Sequence, residues 1–148
     1  MAYRNHGVPS VSVAALRQRV AGWFHREPKV ASPRTILIAE ANTGERRRLV
    51  GLVQAMGYVA LEAPNASVAL EQLETHDPDC VLLALEVDDG GGLEALARVR
   101  ELAPEVPVIM LAADWRDGRT AEAMRRGAIA YLARPFGADD LREVLARH

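Results

Sequence analysis

The chain has 148 residues, of which 49% are hydrophobic and 26% charged, as is ordinary for one globular domain with an extension. A formal net charge of −2 argues against a dedicated nucleic-acid binder, so no nucleic-acid partner is expected. No apolar run reaches the length of a membrane span and no secretory signal is recognisable, so a cytoplasmic protein is expected.

The charge is distributed unevenly along the chain. Residues 1–34 hold six Lys or Arg and one Glu, or +5, which leaves −7 for residues 35–148. We therefore predict two parts: residues 1–34 form a tail, a basic amphipathic helix and a linker, and residues 35–148 form the globular domain.

The first helix is predicted between Ser10 or Ser12, which would cap it, and Pro28. Apolar residues recur there at spacings of three and four and form one stripe: Val13, Leu16, Val20, Trp23 and Phe24. The apolar side chains of this stripe must be buried against another surface. The rest of the chain, a second copy, a groove on a partner protein and a membrane surface are all open, as is a role as an organellar targeting segment.

From Thr35 onward, short apolar runs alternate with segments of helical period. The predicted strands are TILIA (35–39), YVALE (58–62), CVLLALE (80–86), VIMLAA (108–113) and AIAYLA (128–133). The predicted helices are residues 43–56, 66–76, 93–102, 118–127 and 138–148, with Asn65 as one cap. This alternation predicts an α/β fold, a doubly wound sheet of five parallel strands with five helices, in addition to the N-terminal helix.

Functional sites in such sheets lie beyond the carboxyl ends of the strands. The DDGGG loop is rich in glycine but lacks the dinucleotide fingerprint and a Lys-Ser/Thr pair. The single cysteine, Cys80, lies in an apolar run and is predicted to be buried, and the four histidines lack ligand spacing. No metal site is therefore expected, whereas a flavin site stays open.

Residues 35–148 resemble the receiver domain of two-component response regulators, the CheY-like family with a flavodoxin-like fold. The strings that carry the resemblance are ILIAEAN, AMGYVALEA, DPDCVLLALEV, GGLEALARVRELAPEVPVIMLAA, RRGAIAYLARPF and ADDLREVL. The family implies two acids that bind Mg²⁺, an aspartate that accepts the phosphoryl group, a Thr or Ser, and a Lys. These positions fall on Glu40 and Ala41, Ala84, Ala112 and Arg134, respectively.

An alanine cannot be phosphorylated, and one remaining acid makes a poor magnesium site. The resemblance therefore implies a degenerate pseudo-receiver without cofactor, metal or enzymatic activity. Ala84 and Ala112 are interpreted as small core residues. We also predict that an ion pair between Glu40 and Arg134 closes the pocket, because arginine offers a carboxylate a bidentate fork. The acids between residues 86 and 89 are predicted to form a solvated loop.

Four further residues are candidates for a switch or an interface. By resemblance, Tyr131 lies where receivers often place a mobile aromatic, and we predict that it is held in one rotamer. Pro135 and Phe136 match a site at which receivers use a cis peptide bond. Trp115 lies in a polar loop and either packs onto a neighbouring helix or anchors an interface.

These observations predict a phosphorylation-independent pseudo-receiver that acts as a protein–protein interaction module in bacterial two-component signalling. The expected partner is a signalling protein, and self-association remains open. One alternative is a response regulator receiver in a phosphorelay that is signalled through an atypical acceptor or a bound ligand. Another is a flavodoxin-like enzyme or cofactor binder.

Overall fold

The computed structural model describes residues 34–148, so the apolar stripe and the domain division predicted near residue 34 lie outside the described residues. One sheet of five parallel strands has the order β2-β1-β3-β4-β5. The strands are β1 (Thr35–Ala39), β2 (Val59–Ala63), β3 (Cys80–Ala84), β4 (Val108–Ala112) and β5 (Ala130–Ala133). The predicted flavodoxin-like α/β fold is confirmed.

The helices that connect these strands lie where their periodicity predicts them. They are α1 (Thr43–Ala55), α2 (Ala66–His76), α3 (Gly92–Leu102), α4 (Arg119–Arg125) and α5 (Ala138–Arg147). Asn65 caps α2 as predicted, because its side chain accepts a hydrogen bond from the backbone N–H of Val68 at 2.9 Å. Asn42 caps α1 in the same way through the N–H of Glu45 at 2.8 Å.

Each central strand sends alternate side chains into two core layers. In β3, Cys80, Leu82 and Ala84 belong to the layer that α1 and α5 cover, whereas Val81 and Leu83 belong to the layer beneath α2, α3 and α4. All five residues are fully buried. Because both faces of the sheet are covered, the central strands are continuous apolar runs instead of alternating ones. Burying one Leu or Ile contributes about 1.5–3 kcal/mol.

The segment after β3 departs from the predicted strand, which was expected to continue to Glu86. Strand pairing ends at Ala84, and a short helical turn, Val87–Gly90, follows. Asp88 and Asp89 within it have φ values of 54° and 58°, in the left-handed region. This turn folds the chain back so that the N–H of Gly92 donates to the carbonyl of Leu85 at 3.2 Å. The start of α3 therefore lies against the end of β3.

The thiol of Cys80 is buried, as predicted, and burial raises its pKa to about 12. We expect the native protein not to react with a disulfide reagent at about pH 8, because the thiolate is both inaccessible and scarce at that pH. Colorimetric titration should give one thiol per chain only after denaturation. Fast reaction of the native protein would contradict this burial.

None of the helices within residues 34–148 is long and apolar enough to cross a membrane.

Candidate functional site: an arginine-centred cluster at the strand ends

The two alanines at the ends of the central strands pack as core residues, as interpreted from the sequence. Ala84 ends β3 and Ala112 ends β4, and both are fully buried. Ala84 belongs to the same core layer as Phe136 and Leu141, whereas Ala112 belongs to the opposite layer. Neither side chain offers an oxygen to a ligand or a phosphoryl group.

Arg134, immediately after β5, is the centre of the site. Its Nη2 donates to Glu40 Oε1 at 2.5 Å, so the ion pair predicted between these residues is present. The bidentate geometry expected for it is wrong. The guanidinium Nε donates instead to Glu45 Oε2 at 3.2 Å, and Nη1 lies 3.6 Å from Glu86 Oε1. A single guanidinium group therefore lies within ion-pair distance of three carboxylates from different parts of the chain.

Glu40 is the buried carboxylate of this cluster, with 5% of its surface exposed. It follows β1 directly, which turns its side chain toward the end of the sheet. Besides Arg134, it binds the backbone N–H of Asn42, which donates to Oε2 at 2.9 Å. A buried carboxylate needs both a counter-charge and hydrogen-bond donors, and Glu40 has both.

Glu45 lies in the first turn of α1 and joins two arginines. Arg48 binds it through two parallel hydrogen bonds of 3.0 Å each, and Arg134 binds it from the other side. The hydrogen bonds from Arg48 hold the pKa of the Glu45 carboxyl below its usual value; burial opposes this effect and Arg134 adds to it. The Arg48 guanidinium also lies 5.2 Å from the centre of the Phe136 ring.

The acidic loop after β3 was predicted to be solvated, and Asp88 and Asp89 are exposed. The prediction is wrong for Glu86, which is partly buried and paired with arginine. Glu86 Oε2 lies 3.2 Å from Arg119 Nη2, and its other oxygen faces Arg134. Asp88 Oδ1 accepts a hydrogen bond at 3.2 Å from the N–H of Ala66, at the start of α2.

Arg119, at the start of α4, extends the cluster toward the loop after β4. It binds Asp117 through Nε and Nη2 at 3.0 and 2.8 Å. These hydrogen bonds hold the pKa of the Asp117 carboxyl below its usual value. We define the arginine cluster as Glu40, Glu45, Arg48, Glu86, Asp117, Arg119 and Arg134.

Arg46 braces the loop between β1 and α1 next to this cluster. Its Nη1 donates to the carbonyl of Glu40 at 2.8 Å, and its Nε donates to Glu62 Oε1 on β2 at 3.0 Å. Ala41, the second position of the predicted acidic pair, is exposed and contributes its carbonyl, 3.5 Å from the same Nη1. The loop is therefore fixed through its backbone.

Glu40 and Glu86, which follow β1 and β3, are both paired with arginine side chains. Across residues 34–148, no group of three or more His, Cys, Asp or Glu side chains is arranged to hold a metal ion. Arginine cannot lose its proton in proteins, so its charge in the cluster is permanent. The arrangement links the loops after β1, β3, β4 and β5 to one another through ion pairs.

Sequence reasoning missed five members of the cluster: Glu45, Arg48, Glu86, Asp117 and Arg119. The spacing of Glu45 and Arg48, three residues apart on a helix, is a local pattern that could have indicated their pair. The contact between Glu45 and Arg134 joins residues far apart in the chain and has no local pattern.

Among the residues proposed for a switch or an interface, Trp115 and Tyr131 are exposed and Phe136 is buried. Trp115 is 71% exposed, with the Arg116 guanidinium 5.7 Å from its ring, so the alternative in which it packs onto a helix is wrong. Tyr131 is 43% exposed on β5, and its predicted single rotamer stays a prediction. Phe136 is buried in the core layer of α1 and α5, which corrects its assignment to an interface. The Arg134–Pro135 peptide bond is cis.

Comparison with known proteins adds independent information. The family model of the response regulator receiver domain matches residues 36–146. The acid tolerance regulatory protein ActR of Rhizobium meliloti is 26% identical over 112 residues, which cover 76% of this chain and 58% of ActR. The chain thus spans little more than half the length of that relative. The chemotaxis protein CheY of Listeria monocytogenes is 34% identical over 89 residues, 60% of this chain and 75% of CheY.

Solved structures agree with this match. The receiver domain of NtrX from Brucella abortus superimposes with a TM-score of 0.70 at 28% identity, covering 76% of this chain and 95% of the other.

Proposed function

The chain belongs to the response regulator receiver family, and on that premise we propose that it is a phosphorylation-independent pseudo-receiver. It acts as a non-enzymatic protein–protein interaction module in two-component signalling, in the cytoplasm, with a signalling protein as its partner. The observation that carries the proposal is Ala84, a fully buried methyl group at the strand end where the family resemblance expects the phosphoacceptor.

The surroundings of Ala84 support loss of phosphotransfer. Acceptance of a phosphoryl group requires an oxygen nucleophile and a cation that neutralises the transferred charge. The hydroxyl position holds Ala112, and the one remaining acid of the metal pair, Glu40, is bound to Arg134. Arg134 thus provides at Glu40 the positive charge that a metal ion would otherwise bring.

The interaction role is supported by Trp115. Tryptophan is the residue type most enriched among binding hot spots, and a large aromatic that is 71% exposed in a loop leaves much apolar surface in water. The same loop carries Asp117, which binds Arg119 of the arginine cluster. A partner that covers Trp115 would therefore lie next to the altered pocket.

We expect the full chain to gain no phosphoryl mass when it is incubated with a small-molecule phosphodonor and Mg²⁺, because no acceptor carboxylate lies at the end of β3. Intact-protein mass spectrometry measures this directly, with an ordinary phosphorylatable receiver treated in parallel as the positive control. A stable phosphoryl adduct on Glu86 or Asp89 would overturn the proposal and favour the atypical-acceptor alternative.

Replacing Trp115 with alanine should weaken capture of the physiological partner by about tenfold or more, the loss typical of a hot spot. Affinity capture from the host organism, followed by binding measurements with the purified partner, gives the ratio. The matched control is Val59→Ala, which also truncates an exposed apolar side chain, on the strand at one edge of the sheet. Equal effects of the two substitutions would exclude a specific role for Trp115.

A further inference from the structure

An open groove runs between α2 and α3, away from the arginine cluster. It is lined by Leu70 and Glu74 of α2 and by Arg98, Glu101 and Leu102 of α3, and it encloses about 340 Å³. The three- and four-residue spacings place these side chains along one face of each helix. Each helix therefore contributes one leucine and at least one glutamate to the same surface.

The apolar part of the groove is an extension of the core. Ala69 and Leu73 of α2 are buried in the same core layer as Ala95 and Val99 of α3. Leu70 packs only partly against this layer, and Leu102 remains 44% exposed. The two leucines thus offer apolar surface that the fold itself does not cover.

The rim of the groove differs in charge from the rest of the described surface. The charged residues that line the groove are two glutamates, Glu74 and Glu101, and one arginine, Arg98. Neither glutamate carboxylate forms an ion pair or side-chain hydrogen bond with another residue of 34–148, and the same holds for the neighbouring Glu71, Glu94 and Glu105. Elsewhere in these residues, arginine partners are the rule for surface acids, as for Glu62, Asp114, Glu122, Asp139 and Glu143. Among the described residues, the rim therefore keeps an excess of one negative charge, that of Glu74 and Glu101 over Arg98.

We propose that the α2–α3 groove binds a basic amphipathic helix of a partner protein. The apolar face of that helix covers Leu70 and Leu102, and its Lys or Arg side chains pair with Glu74 and Glu101. A groove between two helices fits a third helix that presents residues at spacings of three and four. The unpaired rim carboxylates gain counter-charges without breaking an existing ion pair, whereas an acidic partner or a nucleic acid is repelled.

The groove gives the proposed interaction module a second binding surface and specifies the chemistry of the partner that this surface would bind. It rests on that role but involves neither Ala84 nor Arg134. The inference can therefore fail while the phosphodonor result stands, and the reverse also holds.

The test uses the full, isotope-labelled chain and a synthetic helix-forming peptide with leucines at spacings of three and four and lysines at the other positions. A second peptide keeps the leucines and replaces every lysine with glutamate. In an NMR titration, we expect the basic peptide to shift resonances of Leu70, Glu74, Glu101 and Leu102, and the acidic peptide to shift none of them. Shifts confined to other surfaces, or equal binding of both peptides, would overturn the proposal.

A pair of variants tests the role of the rim charges. Glu74→Lys/Glu101→Lys should weaken binding of the basic peptide by about tenfold or more, with the larger loss at low salt. Asp139→Lys/Glu143→Lys on α5 changes the net charge of the chain by the same amount and should leave binding within about twofold, since affinity depends on the local rim. Equal losses of binding in both variants would show that the affinity depends on the net charge of the chain, and would contradict a binding site in the groove. Sedimentation of the chain alone tests a second copy as the occupant: a dimer that only the groove variant dissociates would assign the groove to self-association and overturn the proposal.

Discussion

Gly92→Ala is expected to destabilise the fold by about 2–4 kcal/mol, a large effect for the addition of one methyl group. A Cβ at this position would lie 2.6 Å from Leu85 Cα and 2.7 Å from the carbonyl oxygen of Ala84. Both atoms belong to the backbone, so no flexible side chain can move away to relieve the overlap. Either the end of β3 or the start of α3 must shift, and with it the buried layer beneath them.

The matched control is Gly51→Ala in the middle of α1, where an added Cβ meets nothing within 4 Å. This substitution should stabilise the protein by about 0.5–1 kcal/mol, because alanine loses less backbone entropy than glycine in a helix. Urea unfolding followed by circular dichroism gives both free energies. A Gly92 variant as stable as the parent would show that the turn after β3 is looser than described.

Arg134→Met should cost about 2–3 kcal/mol at neutral pH, because it removes the cation from the buried carboxylate of Glu40 and leaves it, among residues 34–148, with the N–H of Asn42 as its hydrogen-bond donor. Methionine keeps much of the length of the arginine side chain, so the loss reflects charge more than volume. Thermal unfolding at constant pH measures the change.

The double variant Arg134→Met/Glu40→Gln distinguishes this cause from lost packing. Glutamine removes the unpaired charge and still accepts the hydrogen bond from Asn42, so it should recover about half or more of the loss. Glu40→Gln in the parent protein should be destabilising, so this substitution has opposite signs in the parent and in the Arg134→Met background. No recovery in the double variant would show that Arg134 stabilises the fold through its other contacts.

The fold could be predicted because its determinants are local. Both faces of the sheet are covered, so each central strand is an uninterrupted apolar run, and a capping residue such as Asn65 marks the start of a helix. The end of β3 was missed for a reason that is also physical. Two successive aspartates adopt left-handed backbone, which the sequence pattern alone does not reveal.

The candidate site was predictable where its residues directly follow strands, as Glu40 and Arg134 do, since the carboxyl ends of parallel strands meet at one edge. It was not predictable where a loop or another helix brings the partner, as for Glu86 and Glu45. Trp115 stays exposed in a loop held by local contacts, among them the hydrogen bond from the N–H of Arg116 to Asp114 Oδ1 at 2.7 Å. Such contacts are set by loop geometry and leave no periodic pattern.

Glu86 is divided between two arginines, with Arg119 on one side and Arg134 on the other. Arg119 begins α4 and is fixed to Asp117, two residues beyond Trp115. A displacement of this segment that draws Arg119 away leaves Glu86 to Arg134 alone, and the competition among Glu40, Glu45 and Glu86 for one guanidinium changes. The loops that follow β4 and β5 are therefore linked through Glu86 of the loop after β3, and occupation of the Trp115 surface would change the ion pairs that reach Glu40.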